Sequence, residues 1–255
     1  MISLRKIEGK YPDEINEDLA YKIGIFLGKS VKKIVVGCDI RQSSPELKRF
    51  LIKGLLENKT NVIDIGIISL PLLKFSISKY KFDAGVMVTG CSSPNDYNGF
   101  KIFGNFKIDM KVLKKIKGSY IEIGDIDTIN VEDEYTEFIL SNVKIKRPLK
   151  VVIDAGNGVA GLITVRLFQK AGCEVIPLCC DPDWRFPHHL PDISSLDMLR
   201  KKIFENKADI GIIYDGDACK CAILDKNGEK QKIKNKTDDA IYDSLKMAEY
   251  FSKRT

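Results

Sequence analysis

The stretch Asp83–Ile102, DAGVMVTGCSSPNDYNGFKI, is an apolar strand that runs into a loop of turn-forming residues. The strand is the run Val86–Val88, which lies between Gly85 and Gly90. A short continuous apolar run of this kind is typical of a strand buried on both faces. The loop, Gly90–Asp96, follows the carboxyl end of the strand, where α/β proteins place binding and catalytic residues. The stretch therefore predicts an α/β fold with a functional site in this loop.

A second stretch, Ile210–Leu224 (IGIIYDGDACKCAIL), repeats the layout of strand followed by loop. The two stretches also share an opening phrase, since Asp83-Ala-Gly-Val-Met-Val corresponds to Asp209-Ile-Gly-Ile-Ile-Tyr. We expect the two loops to face each other across one cleft.

The composition is that of a globular protein, with 255 residues of which 44% are hydrophobic and 30% charged. This length suits one large domain or two of about 100–150 residues. The lysines behind the net charge of +6 are spread along the chain. They indicate either solvated helix faces or a cleft that attracts anionic substrates. We expect no nucleic-acid partner, because the sequence has no basic stripe interleaved with aromatic residues.

Localisation signals are missing from the sequence as given. Its first residues are charged and lack the apolar segment of a signal peptide. It contains no run of about 20 apolar residues that could span a membrane. Seven cysteines, an odd number, favour a reducing compartment. We therefore expect a cytoplasmic protein without a membrane partner.

Periodicity and turn residues predict two similar α/β/α domains, each a mixed, mostly parallel sheet flanked by helices. The domains are expected at 1–144 and 149–255, separated by the basic linker Lys144–Pro148. In the first domain, the predicted helices are 14–31, 43–58, 71–81, 111–117 and 132–143, and the predicted strands are 33–37, 62–68 and 86–88, with a hairpin around Gly104-Asn105. In the second domain, the predicted strands are 149–154, 173–178 and the hairpin 209–224, and the predicted helices are 159–171, 195–206 and 238–251.

Two short motifs are candidates for binding a metal ion or a phosphate group. Asp215-Gly216-Asp217 places two carboxylates on the same side of an extended loop, which suits a hard cation such as Mg²⁺ but also occurs in plain hairpin turns. Gly156-Asn157-Gly158, between a strand and a helix, is a candidate for binding phosphate with its backbone N–H groups. His188 and His189 are adjacent, so we expect them to point to opposite sides of an extended loop and not to chelate one ion together.

These motifs resemble those of the α-D-phosphohexomutase family of phosphomannomutases and phosphoglucomutases. The family's phosphoserine loop, T-A-S-H-N-P-P-D-Y-N-G-F-K, corresponds to Thr89–Lys101, and its metal loop, D-G-D-G-D-R, corresponds to Asp215–Lys220. The family motifs D-A-G-N-G-x-A-G and G-R-D-x-R-x-S-S-P correspond to Asp154–Gly161 and Gly37–Pro45. The order and spacing agree along nearly the whole chain.

The resemblance implies conversion of a hexose 1-phosphate to its 6-phosphate through a phosphoserine, with Mg²⁺ as cofactor. Family members have four domains, and this chain resembles the first two, so a separate chain is a candidate source of the others. The expected site contains Cys91, Ser92 and Lys101 as catalytic residues, Asp215, Asp217 and Cys219 as metal ligands, and Arg41 and Lys220 as phosphate-binding residues. Arg41 is alternatively a framework residue together with Asp39.

The chain departs from the family at several of these positions. Cys91 falls on the phosphorylated serine and Ser92 on the histidine after it. Cys219 falls on the third metal-binding aspartate and Lys220 on the arginine after it. Glu8 falls on an arginine near the amino terminus. A thiol is a soft partner for Mg²⁺, and lysine lacks the bidentate fork of arginine. The departures predict an impaired mutase; the alternative is a non-catalytic pseudoenzyme that binds a phosphosugar or a partner chain.

The correspondence also predicts that Cys91 and Cys219 are neighbours. Together with Asp215 and Asp217 they would then offer two thiolates and two carboxylates to Zn²⁺. Two further interpretations are a disulfide and a decayed site without a ligand.

Overall fold

The computed structural model describes residues 4–119, 124–233 and 236–254, which divide into two compact units. The first contains the described residues of Met1–Gly90 and Pro94–Val131. The second contains the three residues Cys91–Ser93 and the described part of Glu132–Thr255. Each unit has a mixed sheet with helices packed against it, which confirms the predicted fold class. The outer limits of the two predicted domains, residues 1 and 255, lie outside the described residues.

The first unit is built on a six-stranded sheet with the strand order β1-β5-β4-β2-β3-β6. Its elements are β1 (Leu4–Lys10), α1 (Glu17–Gly28), β2 (Lys33–Cys38), α2 (Ser44–Leu56), β3 (Asn61–Ile67), α3 (Leu70–Lys79), β4 (Ala84–Val88), β5 (Tyr97–Phe103), α4 (Met110–Leu113) and β6 (Ile126–Thr128). Strand β2 is parallel to β3 and β4, while β5 is antiparallel to both β4 and β1. Strand β4 is buried along its whole length, as its continuous apolar run predicts.

The hairpin of this unit differs from the prediction. Strand β5 begins at Tyr97 and pairs with β4 in the register Val88↔Phe100. The hairpin connection is therefore the loop between β4 and β5, and the prediction of a turn around Gly104-Asn105 is wrong. The return strand starts as soon as the Pro94–Asp96 turn ends, and Gly104, with φ of +155°, follows its last residue.

The two edge strands and the start of α2 show features of the first unit that were not predicted. Strands β1 and β6 were not predicted, and both lie at edges of the sheet, where half-exposed strands lack a continuous apolar run. At the start of α2, Ser43 makes no side-chain cap and instead accepts a hydrogen bond from Asn98, 2.8 Å away. Glu46 forms an ion pair with Arg49.

The second unit has a five-stranded sheet with the order β11-β10-β9-β7-β8. Its elements are α5 (Glu132–Asn142), β7 (Lys150–Asp154), a 3₁₀ turn at Val159–Leu162, α6 (Thr164–Lys170), β8 (Glu174–Leu178), α7 (Asp197–Asn206), β9 (Ile210–Tyr214), β10 (Cys221–Asp225), β11 (Lys230–Gln231) and α8 (Ala240–Ser252). Strands β8 and β9 run parallel to the central β7, and β10 returns antiparallel to β9. None of the helices in the described ranges has the length and apolar character needed to cross a membrane.

Helices α1 and α2 cross closely because a glycine of each lies at the contact. A Cβ on Gly54 would overlap the backbone carbonyl of Tyr21, and a Cβ on Gly24 would overlap that of Leu51. Overpacking of this kind costs about 1–3 kcal/mol, whereas alanine gains up to about 1 kcal/mol in helix propensity over glycine. The steric cost is therefore the larger of the two effects.

We predict that Gly54→Ala lowers the free energy of unfolding by about 1–2 kcal/mol despite its better helix propensity. The measurement is chemical denaturation of the full chain. Lys53→Ala, one position earlier in α2 and only half-buried, is the matched control and should stay within about 0.5 kcal/mol of the wild type. A Gly54→Ala variant as stable as the wild type would contradict the close helix crossing.

Candidate functional site

The candidate site of the second unit lies in the loop between β9 and β10. Asp215 follows the last residue of β9, and Cys219 lies two residues before β10 begins. The loop is tight: Ala218 has a left-handed φ of +58° and donates its N–H to the Asp215 carbonyl at 2.9 Å. The side chains of Asp215 and Asp217 are fully buried. The sharp turn therefore holds two carboxylates and a thiol at one end of the hairpin.

The three-residue segment Cys91–Ser93 packs with this loop. The Cys91 thiol donates to Oδ2 of Asp215 at 3.3 Å, and the Cys219 thiol donates to the same oxygen at 3.0 Å. The two sulfur atoms are 3.5 Å apart, so the predicted proximity of Cys91 and Cys219 is observed. One potential ligand atom from each of Cys91, Asp215, Asp217 and Cys219 lies within 4.8 Å of the others. We call these four residues the thiol–carboxylate cluster.

Gly216 allows the segment and the loop to approach each other closely. A Cβ at this position would overlap the backbone carbonyl oxygen of Cys91. The Gly216 N–H donates to the Pro191 carbonyl at 3.1 Å, and its own carbonyl accepts from Val159 at 3.2 Å. Cys91 itself has a left-handed φ of +53°, a conformation that costs a non-glycine residue about 1–2 kcal/mol. The backbone, and not the side chains alone, brings the thiol to the carboxylates.

Lys220 and Ser92, the other predicted site residues of this unit, lie next to members of the cluster in the sequence. Lys220 is exposed, and its backbone N–H donates to Oδ1 of Asp215 at 2.9 Å. Ser92 is half-buried next to Cys91. Cys221 is buried in β10, and burial raises the pKa of its thiol to about 12, which keeps it protonated. Cys221 therefore brings no additional reactive thiolate.

Lys101 and Arg41 belong to the first unit. Lys101 lies on β5 and is buried, with 5% of its surface exposed. Arg41 is 1% exposed; its guanidinium pairs with Asp39 at 3.2 Å and donates to the backbone carbonyls of Pro94 and Tyr97. A guanidinium held by these partners favours the framework interpretation of Arg41 over the phosphate-binding one.

The turn Gly156-Asn157-Gly158 does not have the predicted phosphate-binding geometry. Its three N–H groups all donate within the protein: Gly156 to the Asp154 carboxylate, Asn157 to the Cys179 carbonyl and Gly158 to the Ala155 carbonyl. The prediction of a phosphate cradle is wrong, because the sequence shows a glycine-rich turn but not where its donors point.

Both histidines pack onto this same turn, a role that the sequence analysis missed. His188 Nδ1 lies 2.8 Å from Oδ1 of Asn157. His189 Nε2 lies 3.2 Å from the fully buried Asp154 carboxylate, and its Nδ1 lies 2.7 Å from the Leu190 carbonyl. The hydrogen bond to Asp154 is the largest of the effects that raise the pKa of His189 to about 10. A pKa raised to about 10 favours the protonated imidazolium of His189 at neutral pH. Sequence spacing could not reveal the pair, because its members are 35 residues apart.

Two family models match the chain. The phosphoglucomutase/phosphomannomutase alpha/beta/alpha domain I matches residues 4–126, and domain II of the same family matches residues 133–228. The two matches together cover most of the sequence.

Curated relatives and solved structures agree with these matches. A probable phosphoglucosamine mutase of Pyrococcus horikoshii is 39% identical over 232 residues, which is 85% of this chain and 51% of the relative. A phosphomannomutase/phosphoglucomutase of Pseudomonas putida is 36% identical over 87% of this chain and 51% of its own length. The crystal structure of a phosphoglucomutase/phosphomannomutase family protein from Burkholderia thailandensis has a TM-score of 0.80 at 33% identity, over 90% of this chain and 56% of that one. The chain thus spans about half the length of the relatives it matches.

We predict that the His189–Asp154 pair stabilises the second unit in a pH-dependent way. Because folding raises the pKa of His189 from 6.5 to about 10, its contribution is complete below pH 6.5 and is lost as the pH rises through about 10. His189→Gln should lower the free energy of unfolding by about 3–5 kcal/mol at the acidic end of this range, since it leaves a buried carboxylate without its ion-pair partner.

The measurement is denaturant unfolding of wild type and variant across that pH window, with the difference between them as the readout. The adjacent His188→Gln is the matched control, and its difference from the wild type should not follow this pH course. A His189→Gln difference that stays constant from pH 6.5 to about 10 would contradict a protonated His189.

Proposed function

The chain belongs to the phosphoglucomutase/phosphomannomutase family, and on that premise we propose that it transfers a phosphoryl group between the 1 and 6 positions of a hexose phosphate, more slowly than the family's serine chemistry would allow. The resemblance found in the sequence analysis is confirmed by the family models. The relatives are named for mutase activity, and we propose the same activity for this chain.

One observation carries the proposal: the Cys91 thiol lies 3.3 Å from the Asp215 carboxylate. In the proposed step, Asp215 accepts the thiol proton and the Cys91 sulfur attacks the phosphorus of a hexose bisphosphate. An S–P bond forms, the P–O bond to the sugar breaks, and the sugar oxygen takes up a proton. In the reverse step, the free 6-hydroxyl of a hexose 1-phosphate attacks the phosphorus on Cys91, the S–P bond breaks and the bisphosphate forms. Transfer of its 1-phosphoryl group back to Cys91 then leaves the hexose 6-phosphate. Lys101 is proposed to supply positive charge or a proton, as the resemblance implies.

The departures from the family explain why the rate should be low. Phosphoryl transfer depends on positioning and on neutralising charge in the transition state. Lys220 in place of arginine offers no bidentate contact to phosphate oxygens. Glu8, which is half-buried on β1, adds negative charge where the family carries an arginine. Each of these two changes weakens the stabilisation of the negative charge on the phosphoryl group in the transition state.

The residues of the thiol–carboxylate cluster do not fit the Mg²⁺ that the resemblance implies. Mg²⁺ requires near-octahedral oxygen ligands at about 2.0–2.1 Å, and two of the four clustered donors are sulfur atoms. The proposed transfer therefore relies on the positions of Cys91 and Asp215.

A second candidate function is a non-catalytic protein that binds a phosphosugar or a partner chain. The observation that favours it is the burial of Cys91, of which only 3% is exposed. A nucleophile needs access to phosphorus, and the thiol is held between Asp215 and Cys219 instead.

We predict that hexose 1,6-bisphosphate phosphorylates the reduced chain on Cys91. The half-reaction is followed by intact mass, with an increase of one HPO₃ group located on the peptide that contains Cys91. Cys91→Ser combined with Cys219→Asp should raise the rate of this labelling by about tenfold or more, equivalent to about 1.4 kcal/mol of barrier, because it restores the hydroxyl and the third carboxylate.

Cys173→Ser, which removes a buried cysteine outside the cluster, is the matched control and should label like the wild type. The absence of label on the wild type and on the doubly substituted chain would sink the catalytic proposal and favour the binding protein. Label on residues other than Cys91 in the wild type would reject Cys91 as acceptor.

A further inference from the structure

The donor atoms of the thiol–carboxylate cluster are arranged for a soft metal ion. We propose that Cys91, Asp215, Asp217 and Cys219 bind Zn²⁺ as a four-ligand site in place of the Mg²⁺ implied by the family resemblance. Zinc combines thiolate and carboxylate ligands readily, whereas sulfur is a poor ligand for magnesium. This inference goes beyond the proposed function and does not require the chain to transfer phosphate.

The spacing of the donors supports tetrahedral coordination. With Zn–S bonds of about 2.3 Å and Zn–O bonds of about 2.0–2.2 Å, a tetrahedral site places two sulfurs about 3.8 Å apart and a sulfur and an oxygen about 3.6 Å apart. The two sulfur atoms are 3.5 Å apart, and they lie 3.3 Å and 3.0 Å from Oδ2 of Asp215. Shifts of about half an ångström would therefore bring these three donor atoms to the distances of tetrahedral coordination around one zinc ion.

Burial strengthens the attraction for a cation. Asp215 and Asp217 are fully buried, and their carboxylates lie within 4.8 Å of each other and of both thiols. Carboxylates so close together repel each other in a low-dielectric setting, and a divalent ion between them favours the ionised form of both.

The site is also held by backbone that does not depend on the ligands. Cys91 approaches the loop because Gly216 has no Cβ, and the Gly216 N–H and carbonyl are both bonded to the rest of the second unit. The loop is thus placed before any ion arrives, as a selective metal site requires.

All four ligands come from the protein, which is the pattern of a closed zinc site with no open position for substrate. Bound zinc would fasten the Cys91 segment to the β9–β10 loop. It would also occupy the Cys91 sulfur, so zinc binding and phosphorylation of Cys91 exclude each other.

The test uses the full chain, reduced and stripped of metal, equilibrated with ZnCl₂ in the presence of excess MgCl₂ and then freed of unbound ions. Metal analysis should find one zinc and no magnesium per chain. Replacing zinc by Co²⁺ should give a thiolate-to-cobalt charge-transfer band. Zinc should also raise the midpoint of thermal unfolding, because a ligand that binds the folded state stabilises it.

Variants identify the ligands. Cys91→Ser and Cys219→Ser should each weaken zinc binding by at least about 100-fold, since losing even a hydrogen-bond partner of a ligand costs about 10–100-fold. Gly216→Ala, which keeps all four ligands, should also weaken it by displacing Cys91. Cys173→Ser should bind zinc like the wild type. The doubly substituted Cys91→Ser/Cys219→Asp chain should lose the charge-transfer band and its preference for zinc over magnesium.

Three results would overturn the zinc site: no zinc retained by the reduced wild type, equal retention by Cys91→Ser and Cys219→Ser, or a chain that forms a Cys91–Cys219 disulfide and binds no zinc after reduction. Metal content is measured without substrate. Phosphorylation is measured on the metal-free chain, because bound zinc occupies the Cys91 sulfur. A chain that binds zinc but is not phosphorylated when metal-free therefore refutes only the proposed function, and a chain that is phosphorylated but binds no zinc refutes only the zinc site.

Discussion

The Asp215 carboxylate is the interaction on which the candidate site depends. One of its oxygens accepts the backbone N–H of Lys220 and so closes the β9–β10 loop, and the other accepts both thiols. A residue with one acceptor oxygen could close the loop or receive the thiols, but not both. Because the carboxylate is fully buried, each of these hydrogen bonds forms in a low-dielectric setting where a charged acceptor strengthens it. Asp215 thus receives the Cys91 thiol that the backbone contact at Gly216 places beside it.

The metal and phosphoryl chemistry of this cluster differs from that expected for the phosphoserine loop of the family. A hydroxyl beside three carboxylates is a hard donor set, matched to Mg²⁺ and to a stable phosphate ester. Two thiols beside two carboxylates form a mixed set, in which the sulfurs favour a softer ion and a more labile phosphoryl group. The same fold and the same loop positions can thus support a different ligand, because the chemistry of the donors changes while the backbone that holds them stays the same.

Much of the fold could be predicted from the sequence, since the apolar runs of β2, β4, β7 and β9 are those of strands buried on both faces. The edge strands β1 and β6 could not, because one-sided or exposed strands carry a weak pattern. In the site, the proximity of Cys91 and Cys219 followed from motif correspondence, since no local pattern links positions 128 residues apart. The prediction of a phosphate-binding turn at Gly156–Gly158 was wrong for a different reason. Composition reveals a turn, but the direction of its N–H groups depends on partners from other segments.

The unpredicted His189–Asp154 pair connects the framework of the second unit to the site. The pair fixes the irregular loop that contains Pro191, and the Pro191 carbonyl accepts the N–H of Gly216. Gly216 in turn gives Cys91 room to approach Asp215. Two backbone contacts thus connect the His189–Asp154 pair at the end of β7 to the segment that contains the Cys91 thiol. Since metal ligands and nucleophiles tolerate displacements of only about 0.5 Å, residues that never touch a ligand help to decide whether this cluster can hold one.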